Sequence, residues 1–168
     1  DFVFRAREFE QMEVEYFVKS DEWEKYFEMW RAHMHEWIKA VGIDEGKVHE
    51  LDVPERERAH YSKRTIDFEF DFPFGRKELY GLAYRTDFDL KAHAGSSGAD
   101  LSYTGATGEK VVPHVIEPSL GLDRTVLAVL LSAYKEDEMD GEVRTFLSFP
   151  KAVAPVKAAV FPLLKNKP

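Results

Sequence analysis

The strongest constraint on the fold lies between residues 65 and 85. Residues 65–72 read TIDFEFDF, in which Ile and Phe alternate strictly with Thr, Asp and Glu. A period of two places the apolar side chains on one face of an extended strand and the polar ones on the other. A Pro-Phe-Gly turn follows, and residues 78–85, ELYGLAYR, return as a partner strand. The sequence therefore predicts an antiparallel hairpin with one buried face.

The N-terminal region predicts a strand followed by a long helix. Residues 4–18 alternate with a period of two, and a change of apolar parity near residues 6–9 indicates a bulge or turn. Ser20 is the expected N-cap of a helix with apolar residues at helical spacing over 23–41, which Gly42 ends. We interpret the apolar stripe of this helix as core packing rather than a cofactor site; its members are Trp23, Tyr26, Phe27, Trp30, Met34, Trp37 and Ile38.

The middle of the chain alternates between loops and regular elements. Residues 43–64 are polar and irregular, with a short helix expected near Glu55. The glycine-rich residues 94–109 predict a loop, and residues 111–117 predict a strand. A helix is expected to begin at Asp123 and to continue through TVLAVLLSAYKED. Its expected buried residues are Leu127, Leu130, Leu131 and Tyr134.

The C-terminal region predicts two further strands around a linker. Residues 144–149 predict a short strand, Pro150 and Pro155 indicate the linker, and residues 157–164 read as a buried strand of another domain. Antiparallel neighbours combined with helices favour an α+β fold over a doubly wound parallel sheet.

Charge and composition exclude several function classes. The net charge of −8 excludes a uniformly basic nucleic-acid wrapper. With no cysteine, thiol catalysis, zinc ribbons and iron–sulfur clusters are excluded, and a reducing compartment is compatible. No apolar run reaches the ~20 residues that a membrane span needs, and no signal peptide is recognisable. We therefore expect a cytoplasmic protein without a membrane partner.

Charged side chains on the predicted strands are the candidate functional residues. A single charged strand residue most often lies on a solvated face, but clustering in several strands favours a charged floor on one sheet. Such a floor suits a polyphosphate and a small zwitterion, because arginine binds phosphate in a bidentate manner. The cluster comprises Arg5, Arg7, Glu13, Glu15, Glu78, Arg85 and Glu117, with Arg124 at the start of a helix.

Familiar nucleotide and metal motifs are missing from the sequence. It contains no G-x-x-x-x-G-K, G-x-G-x-x-G or G-x-S-x-G pattern. His60 and His114 are isolated, and His33 and His35 lie on different faces of one helix, which disfavours a histidine-based metal site. A bound nucleotide would therefore be held without a glycine-rich phosphate loop.

Several ordered segments resemble glycyl-tRNA synthetase of the homodimeric class II type. R-x-x-x-F-x-x-x-E, at Arg5, Phe9 and Glu13, resembles the second half of class II motif 2. G-L-D-R at residues 121–124 resembles motif 3, and V-I-E-P-S at residues 115–119 is close to diagnostic for the glycine enzyme. The other matching segments are AHYSKRTID, ELYGLAYRTDFDL and KAVAPVKAAVFPLLKN, the last of which resembles the entry to an anticodon-binding domain.

The resemblance implies an ATP site. It assigns Arg5 and Arg124 as catalytic residues on either side of the ATP, with Arg5 on the phosphates and Arg124 against the nucleotide. Phe9 would stack on adenine. Glu78, in the E-L-x-G pattern, would hold Mg²⁺ and ATP.

The resemblance also implies a glycine site. Arg85 would bind the glycine carboxylate. Glu13, Glu117 and Ser119 would bind the ammonium group and crowd the α-carbon. Exclusion of any side chain would then select glycine, and we expect all four residues in one pocket.

The implied fold is a class II aminoacyl-tRNA synthetase-like antiparallel sheet flanked by helices. Residues 1–150 would be catalytic core from motif 2 to motif 3, and residues 151–168 a linker and first anticodon-domain strand. Motif 1 and the first strand of motif 2 have no counterpart here, so we expect a fragment that is inactive alone. The implied partners of the full-length protein are glycine, ATP, tRNA(Gly) and a second copy as a homodimer.

Two other interpretations remain open from sequence alone. Non-catalytic class II synthetase-like modules exist and serve as binding or accessory subunits. The chain also fits an acidic α+β domain whose strand charges are merely solvated. Retention of all the motif residues together favours the ligase.

Overall fold

Six antiparallel strands form the main sheet of the protein. The structure is a computed structural model and describes residues 2–163. The strands are β1 (Gln11–Glu13), β2 (Tyr16–Val18), β3 (Val48–Asp52), β4 (Arg64–Phe72), β5 (Gly75–Thr86), β6 (Tyr103–Thr104), β7 (Lys110–Val111), β8 (His114–Gly121), β9 (Tyr134–Met139) and β10 (Glu142–Leu147). The α-helices are α1 (Trp23–Ala40), α2 (Phe88–Ser97) and α3 (Leu122–Ala133), and short 3-10 helices lie at Phe2–Phe4, Glu45–Lys47 and Glu55–Glu57.

The order of the main sheet is β1–β8–β5–β4–β3, and β2 pairs with β8 beyond β1. β4 and β5 form the predicted hairpin, which is confirmed with bounds Arg64–Phe72 and Gly75–Thr86. β6 with β7 and β9 with β10 form two small separate sheets. Within residues 2–163, no helix has the length and apolar content that a membrane crossing requires.

One face of the main sheet packs against α1 and α3. The alternation in β4 is confirmed, since Ile66, Phe68 and Phe70 are buried on this face. Phe27 and Ile38 of α1 are buried in the same core. Fully burying an aromatic or aliphatic side chain of this size contributes roughly 1.5–3 kcal/mol. Both helices therefore leave the opposite face of the sheet free, and the α+β prediction is confirmed.

The predicted core stripe of α1 is confirmed with one exception at its rim. Phe27, Met34 and Ile38 are buried, while Trp23, Tyr26 and Trp30 pack partly buried against the core. Trp37 is 36% exposed, and its ring nitrogen donates to the Tyr80 hydroxyl at 3.3 Å.

Tyr80→Phe tests the hydrogen bonds that join the sheet to both helices. The buried Tyr80 hydroxyl also pairs with the Thr125 hydroxyl of α3 at 2.8 Å. Removing the hydroxyl breaks both hydrogen bonds, although the Thr125 hydroxyl keeps its bond to the main-chain oxygen of Gly121 at 2.7 Å. We therefore expect a loss of about 1 kcal/mol in the free energy of unfolding. Urea unfolding of the Tyr80→Phe variant and of the unmodified protein measures this loss of stability. Tyr103→Phe, at an exposed ring, is the control, and equal losses in both variants would contradict the role of this contact.

The prediction of one strand over residues 4–18 is wrong. Phe2–Phe4 form a 3-10 helix, and the extended backbone is split into β1 and β2. Phe4 turns inward and packs its ring edge-on against Phe72 and Phe74, with centroids 5.1 and 5.0 Å away. Because the Phe4 ring packs on the hairpin, this segment does not adopt the extended conformation that the alternation favoured.

Several predicted element ends are also wrong. α1 begins at Trp23, after Glu22, and Ser20 does not cap it. Part of the predicted 94–109 loop belongs to α2, which ends at the left-handed Gly98. α3 ends at Ala133, because the following residues pair with β10, so Tyr134 is exposed rather than buried. Leu130, within α3, is also exposed rather than buried.

Two further predicted strands are confirmed with shifted bounds. Residues 111–117 correspond to β8, and residues 144–149 to β10. No strand is assigned to residues 157–163, and the rest of the 157–164 prediction lies outside the described residues. The division at residue 150 remains a prediction.

Candidate active site

The face of the sheet that α1 and α3 leave free carries the predicted polar residues. One row of paired residues crosses four strands, from Asp67 through Gly81 and Ser119 to Glu13. The middle of this row has no side chain at Gly81, which allows a ligand to approach the backbone closely. The next row pairs Thr65, Ala83 and Glu117 and continues the same floor.

A cavity of about 350 Å³ lies over this floor. It brings together all four residues predicted to bind glycine, although they are far apart in sequence: Glu13, Arg85, Glu117 and Ser119. The expected juxtaposition is therefore observed, and the role of each residue remains a prediction.

Arg85 is held on three sides. Its Nε donates to Asp89 Oδ2 at 2.7 Å, and its Nη1 lies 2.8 Å from Glu117 Oε2. The ring of Tyr61 lies 4.0 Å from Cζ of the guanidinium. The side chain is only 18% exposed, and the hydrogen bond to Asp89 raises the pKa of Arg85 above its ordinary value. Arg85 is a fixed positive charge in the cavity.

Glu117 is the buried negative partner of this arginine. The residue is only 9% exposed, and burial raises the pKa of its carboxyl above the usual range. The nearby Glu15 raises this pKa further, while Arg85 opposes the shift. A cationic group of a ligand would stabilise the buried Glu117 carboxylate as Arg85 does. The pair therefore suits a zwitterion, whose ammonium group would face Glu117 and whose carboxylate would face Arg85 in place of the internal ion pair.

A second cavity of about 330 Å³ contains all the residues predicted to bind ATP: Arg5, Phe9, Glu78 and Arg124. The two cavities share Gln11, Glu78 and Ser119 on their walls. Gln11 Nε2 donates to Glu13 Oε1 at 2.9 Å and also to the Ser119 hydroxyl. The cavities are therefore adjacent compartments joined at β1 and β8.

Arg124 contacts the ring of Phe4, a residue that no sequence motif singled out. Its guanidinium carbon lies 4.6 Å from the ring of Phe4, and its Nη1 donates to the main-chain oxygen of Glu78 at 2.9 Å. Phe9 lines the same cavity with its ring 64% exposed, so it is not an ordinary core aromatic. Stacking of Phe9 on a base remains a prediction.

A β-bulge turns Glu78 toward the cavities. In strict alternation, Glu78 and Arg85 would lie on opposite faces of β5. The pairing shifts between Phe68 and Glu69 of β4, so Glu78 pairs with Glu69 and rejoins the cavity face. The Glu78 carboxylate is 3.3 Å from Arg124 Nη1.

Asp67 is a site residue that the sequence analysis missed. Its side chain lines the 350 Å³ cavity, and burial, with Glu78 and Glu69 nearby, raises the pKa of Asp67 to about 6. The only signal was its polar position in the TIDFEFDF alternation. The strand alternation predicts the face but not the proximity of three carboxylates.

Asp67→Asn should stabilise the protein above pH 6. In the unfolded chain this carboxyl titrates near 3.9, so between about pH 4 and 6 the folded state retains a proton that the unfolded state has lost. Stability therefore falls as pH rises through this window, and the cost persists at pH 7. We expect Asp67→Asn to raise the free energy of unfolding at pH 7 by on the order of 2 kcal/mol, with little change at pH 4.

Urea unfolding at both pH values measures this effect, and Asp71→Asn is the matched control on the same strand. The hydrogen bond from His49, followed by that from Arg76, lowers the pKa of Asp71, so its substitution should bring no gain. Equal stability of Asp67→Asn and the unmodified protein at pH 7 would contradict the burial argument.

An antiparallel sheet with helices on one face and a charged floor on the other is the architecture of a class II synthetase core. Residues 3–134 match the family model described as "tRNA synthetase class II core domain (G, H, P, S and T)". The chain belongs to this family. Among solved structures, Giardia lamblia prolyl-tRNA synthetase in complex with prolyl-adenylate is similar in fold, with a TM-score of 0.61 at 14% identity, over 77% of this chain and 24% of that chain.

Three curated relatives of higher identity are glycine–tRNA ligases. The chain is 48% identical over 167 residues to glycine–tRNA ligase of Caldanaerobacter subterraneus. It is 50% identical over 168 and 171 residues to those of Lachnospira eligens and Macrococcus caseolyticus. Each match covers 99% of this chain and 36% of the relative. The resemblance to glycyl-tRNA synthetase is confirmed, and the chain spans about a third of the length of these relatives.

Proposed function

We propose that this chain forms part of the catalytic core of a glycine–tRNA ligase. The complete protein would join glycine to ATP as glycyl-adenylate and then transfer the glycyl group to tRNA(Gly). The observation that carries the proposal is the pair of adjacent cavities. One has the arginines and aromatic rings that suit a nucleotide, and the other has the Arg85–Glu117 pair that suits a small zwitterion.

Activation requires alignment more than a protein base. A glycine carboxylate oxygen would attack the α-phosphorus, forming an O–P bond while the bond from that phosphorus to the bridging oxygen breaks and pyrophosphate leaves. Arg85 would hold the carboxylate in the cavity next to the one proposed for ATP. Arg5 and Arg124 would neutralise the phosphates, and preorganised charges of this kind supply most of the rate acceleration in such sites.

Mg²⁺ fits the residues present at the boundary between the cavities. The Glu78 carboxylate is about half-exposed there, and carboxylate and phosphate oxygens are the ligands that Mg²⁺ prefers. Mg²⁺ characteristically binds through one or two carboxylates together with substrate phosphates. Glu78 would hold the ion, which would supply charge neutralisation on the phosphates.

The floor explains how glycine would be selected. Glu13, Glu117 and Ser119 lie around the bare position at Gly81, so the ammonium group can be surrounded closely. A wall of fixed side chains and backbone excludes a methyl group more strongly than the ~1–3 kcal/mol that one methylene contributes in a roomy pocket. The remaining partners that we propose are a second copy in a homodimer and a cytoplasmic tRNA.

ATP–pyrophosphate exchange tests the proposal in the complete protein that contains these 168 residues. We expect exchange that depends on glycine and is more than about 100-fold weaker with alanine. A folded protein that binds neither glycine nor ATP would support the accessory-module interpretation instead.

A further inference from the structure

Residues 53–63 form one wall of the 350 Å³ cavity proposed for glycine, here called the glycine cavity. The proposed reaction assigns this wall no role. This loop connects β3 to β4, and Val53, Arg58 and Tyr61 from it line the 350 Å³ cavity. Its sequence is polar and irregular and predicts only a connection with a short helix near Glu55, which the 3-10 helix Glu55–Glu57 confirms. A cavity wall built from a loop is useful for binding only if the loop is fixed.

Arg58 fixes the loop by joining its two ends. Its Nε donates to the main-chain oxygen of Val53 at 2.7 Å, and its Nη1 donates to that of Lys63 at 2.5 Å. The main-chain nitrogen of Lys63 in turn donates to the oxygen of Tyr84 in β5 at 2.8 Å. The loop is thereby tied to the strand that carries Arg85.

Tyr61 is the part of this loop that touches the site's main cation. The face of its ring lies 4.0 Å from Cζ of Arg85, while Asp89 takes the Nε donor and Glu117 lies against Nη1. These three contacts restrain the planar guanidinium in position and in rotation. Asp89 takes the single N–H of Nε, and Glu117 lies against only one of the two Nη nitrogens, so further N–H donors of the guanidinium remain for a ligand.

We propose that Tyr61 is a positioning residue that holds the Arg85 guanidinium for the carboxylate of the amino-acid substrate. This inference rests on the proposed function. Glu117 alone would draw an unrestrained Arg85 toward itself and away from the ligand, and the ring opposes this by holding the guanidinium plane. An aromatic face attracts a cation more strongly where water is excluded, and Arg85 is mostly buried.

The π face, rather than the hydroxyl, carries this role, so the conservative variant should rescue it. Tyr61→Phe should keep the glycine KM within about twofold of the unmodified protein, whereas Tyr61→Leu should raise it about tenfold, the value of a well-desolvated cation–π contact. The KM for ATP and kcat should change by less than about threefold, because the other cavity is untouched. A merely structural role would disturb both substrates together.

The experiment compares these variants in the complete protein by ATP–pyrophosphate exchange. Phe146→Leu is the matched control, because Arg144 lies 5.3 Å from that ring in an arginine–aromatic pair on β10, outside both cavities. Tyr61→Met keeps apolar bulk without a π face and serves if Tyr61→Leu does not fold. A glycine KM that is the same in the Tyr61→Leu or Tyr61→Met variant as in the unmodified protein would overturn the inference.

A crystal structure of the Tyr61→Met variant separates this inference from the proposed function. We expect the Arg85 guanidinium to leave its present plane when the ring is missing. An unmodified protein without glycine-dependent exchange would refute the proposed function alone, and a displaced Arg85 in the variant would still support positioning by Tyr61. An Arg85 that keeps its plane and its contacts would overturn the positioning role.

Discussion

Arg85→Ala should lower kcat/KM for glycine by about 10³ in the complete protein. The substitution removes the partner proposed for the substrate carboxylate, and charge-assisted hydrogen bonds of this kind contribute about 1.5–3 kcal/mol. It also leaves Asp89 and the buried Glu117 without their cation, and uncompensated buried charge adds a further penalty. Both effects act against a carboxylate entering the cavity. Steady-state ATP–pyrophosphate exchange over a range of glycine concentrations measures the loss.

Arg85→Lys separates charge from geometry in the same assay. Lysine keeps the positive charge but cannot hold Asp89, Glu117 and a substrate carboxylate with one planar fork, so we expect an intermediate loss. The KM for ATP should change little in either variant. A glycine KM that is unchanged in Arg85→Ala would contradict the proposed contact with the carboxylate.

The residues of the cavity proposed for glycine meet because they lie on paired strands of one sheet. The alternation in residues 65–72 fixes which face of β4 is buried, and the hairpin carries that information to Arg85 on β5. Pairing with β8 then places Glu117 and Ser119 on the same floor. The resemblance assigned these residues to one pocket, and the antiparallel register supplies the physical reason.

Glu78 shows where strand periodicity fails. Its distance of seven residues from Arg85 predicts opposite faces, and only the bulge opposite Phe68 and Glu69 brings both to the cavities. A bulge depends on which residues of two strands pair, and this is set by packing across the sheet. The charge of Glu78 on a predicted strand and its match to the E-L-x-G pattern both singled out this residue, whereas the alternation alone would have placed it on the buried face.

Contacts made by residues outside the main sheet were the hardest to predict. Tyr61 and Asp89 hold Arg85 from a loop and from α2, and neither element has a pattern that predicts its position beside the cavity. The ring of Phe4 faces Arg124 because its segment folds onto the hairpin instead of extending. Such contacts depend on tertiary packing, which overrides local preference.

Arg124→Ala should lower kcat/KM for ATP by about 10²–10³, the usual cost of removing one preorganised donor from a charge-stabilising site. Arg124 lies at the start of α3 and is anchored by its hydrogen bond to the main-chain oxygen of Glu78. This anchor fixes the cation on the wall of the cavity that also contains Arg5 and Phe9. In the Arg124→Ala variant, the negatively charged phosphates would lie beside the Glu78 carboxylate with one cation fewer. The glycine KM should change much less, because Arg85 and its partners line the other cavity.

Arg144→Ala on β10 is the matched control for this prediction. Arg144 also pairs with a carboxylate, that of Asp137, and also lies beside an aromatic ring, yet it lines neither cavity. Its loss removes the same formal charge from the surface, so any general electrostatic effect on ATP would appear in both variants. ATP–pyrophosphate exchange at varied ATP concentrations distinguishes Arg124→Ala from Arg144→Ala, and thermal unfolding verifies that both variants fold. Similar values of kcat/KM for ATP in Arg124→Ala and Arg144→Ala would show that Arg124 acts only as one more surface charge. Of the two arginines that line this cavity, Arg5 alone would then keep a proposed contact to the phosphates.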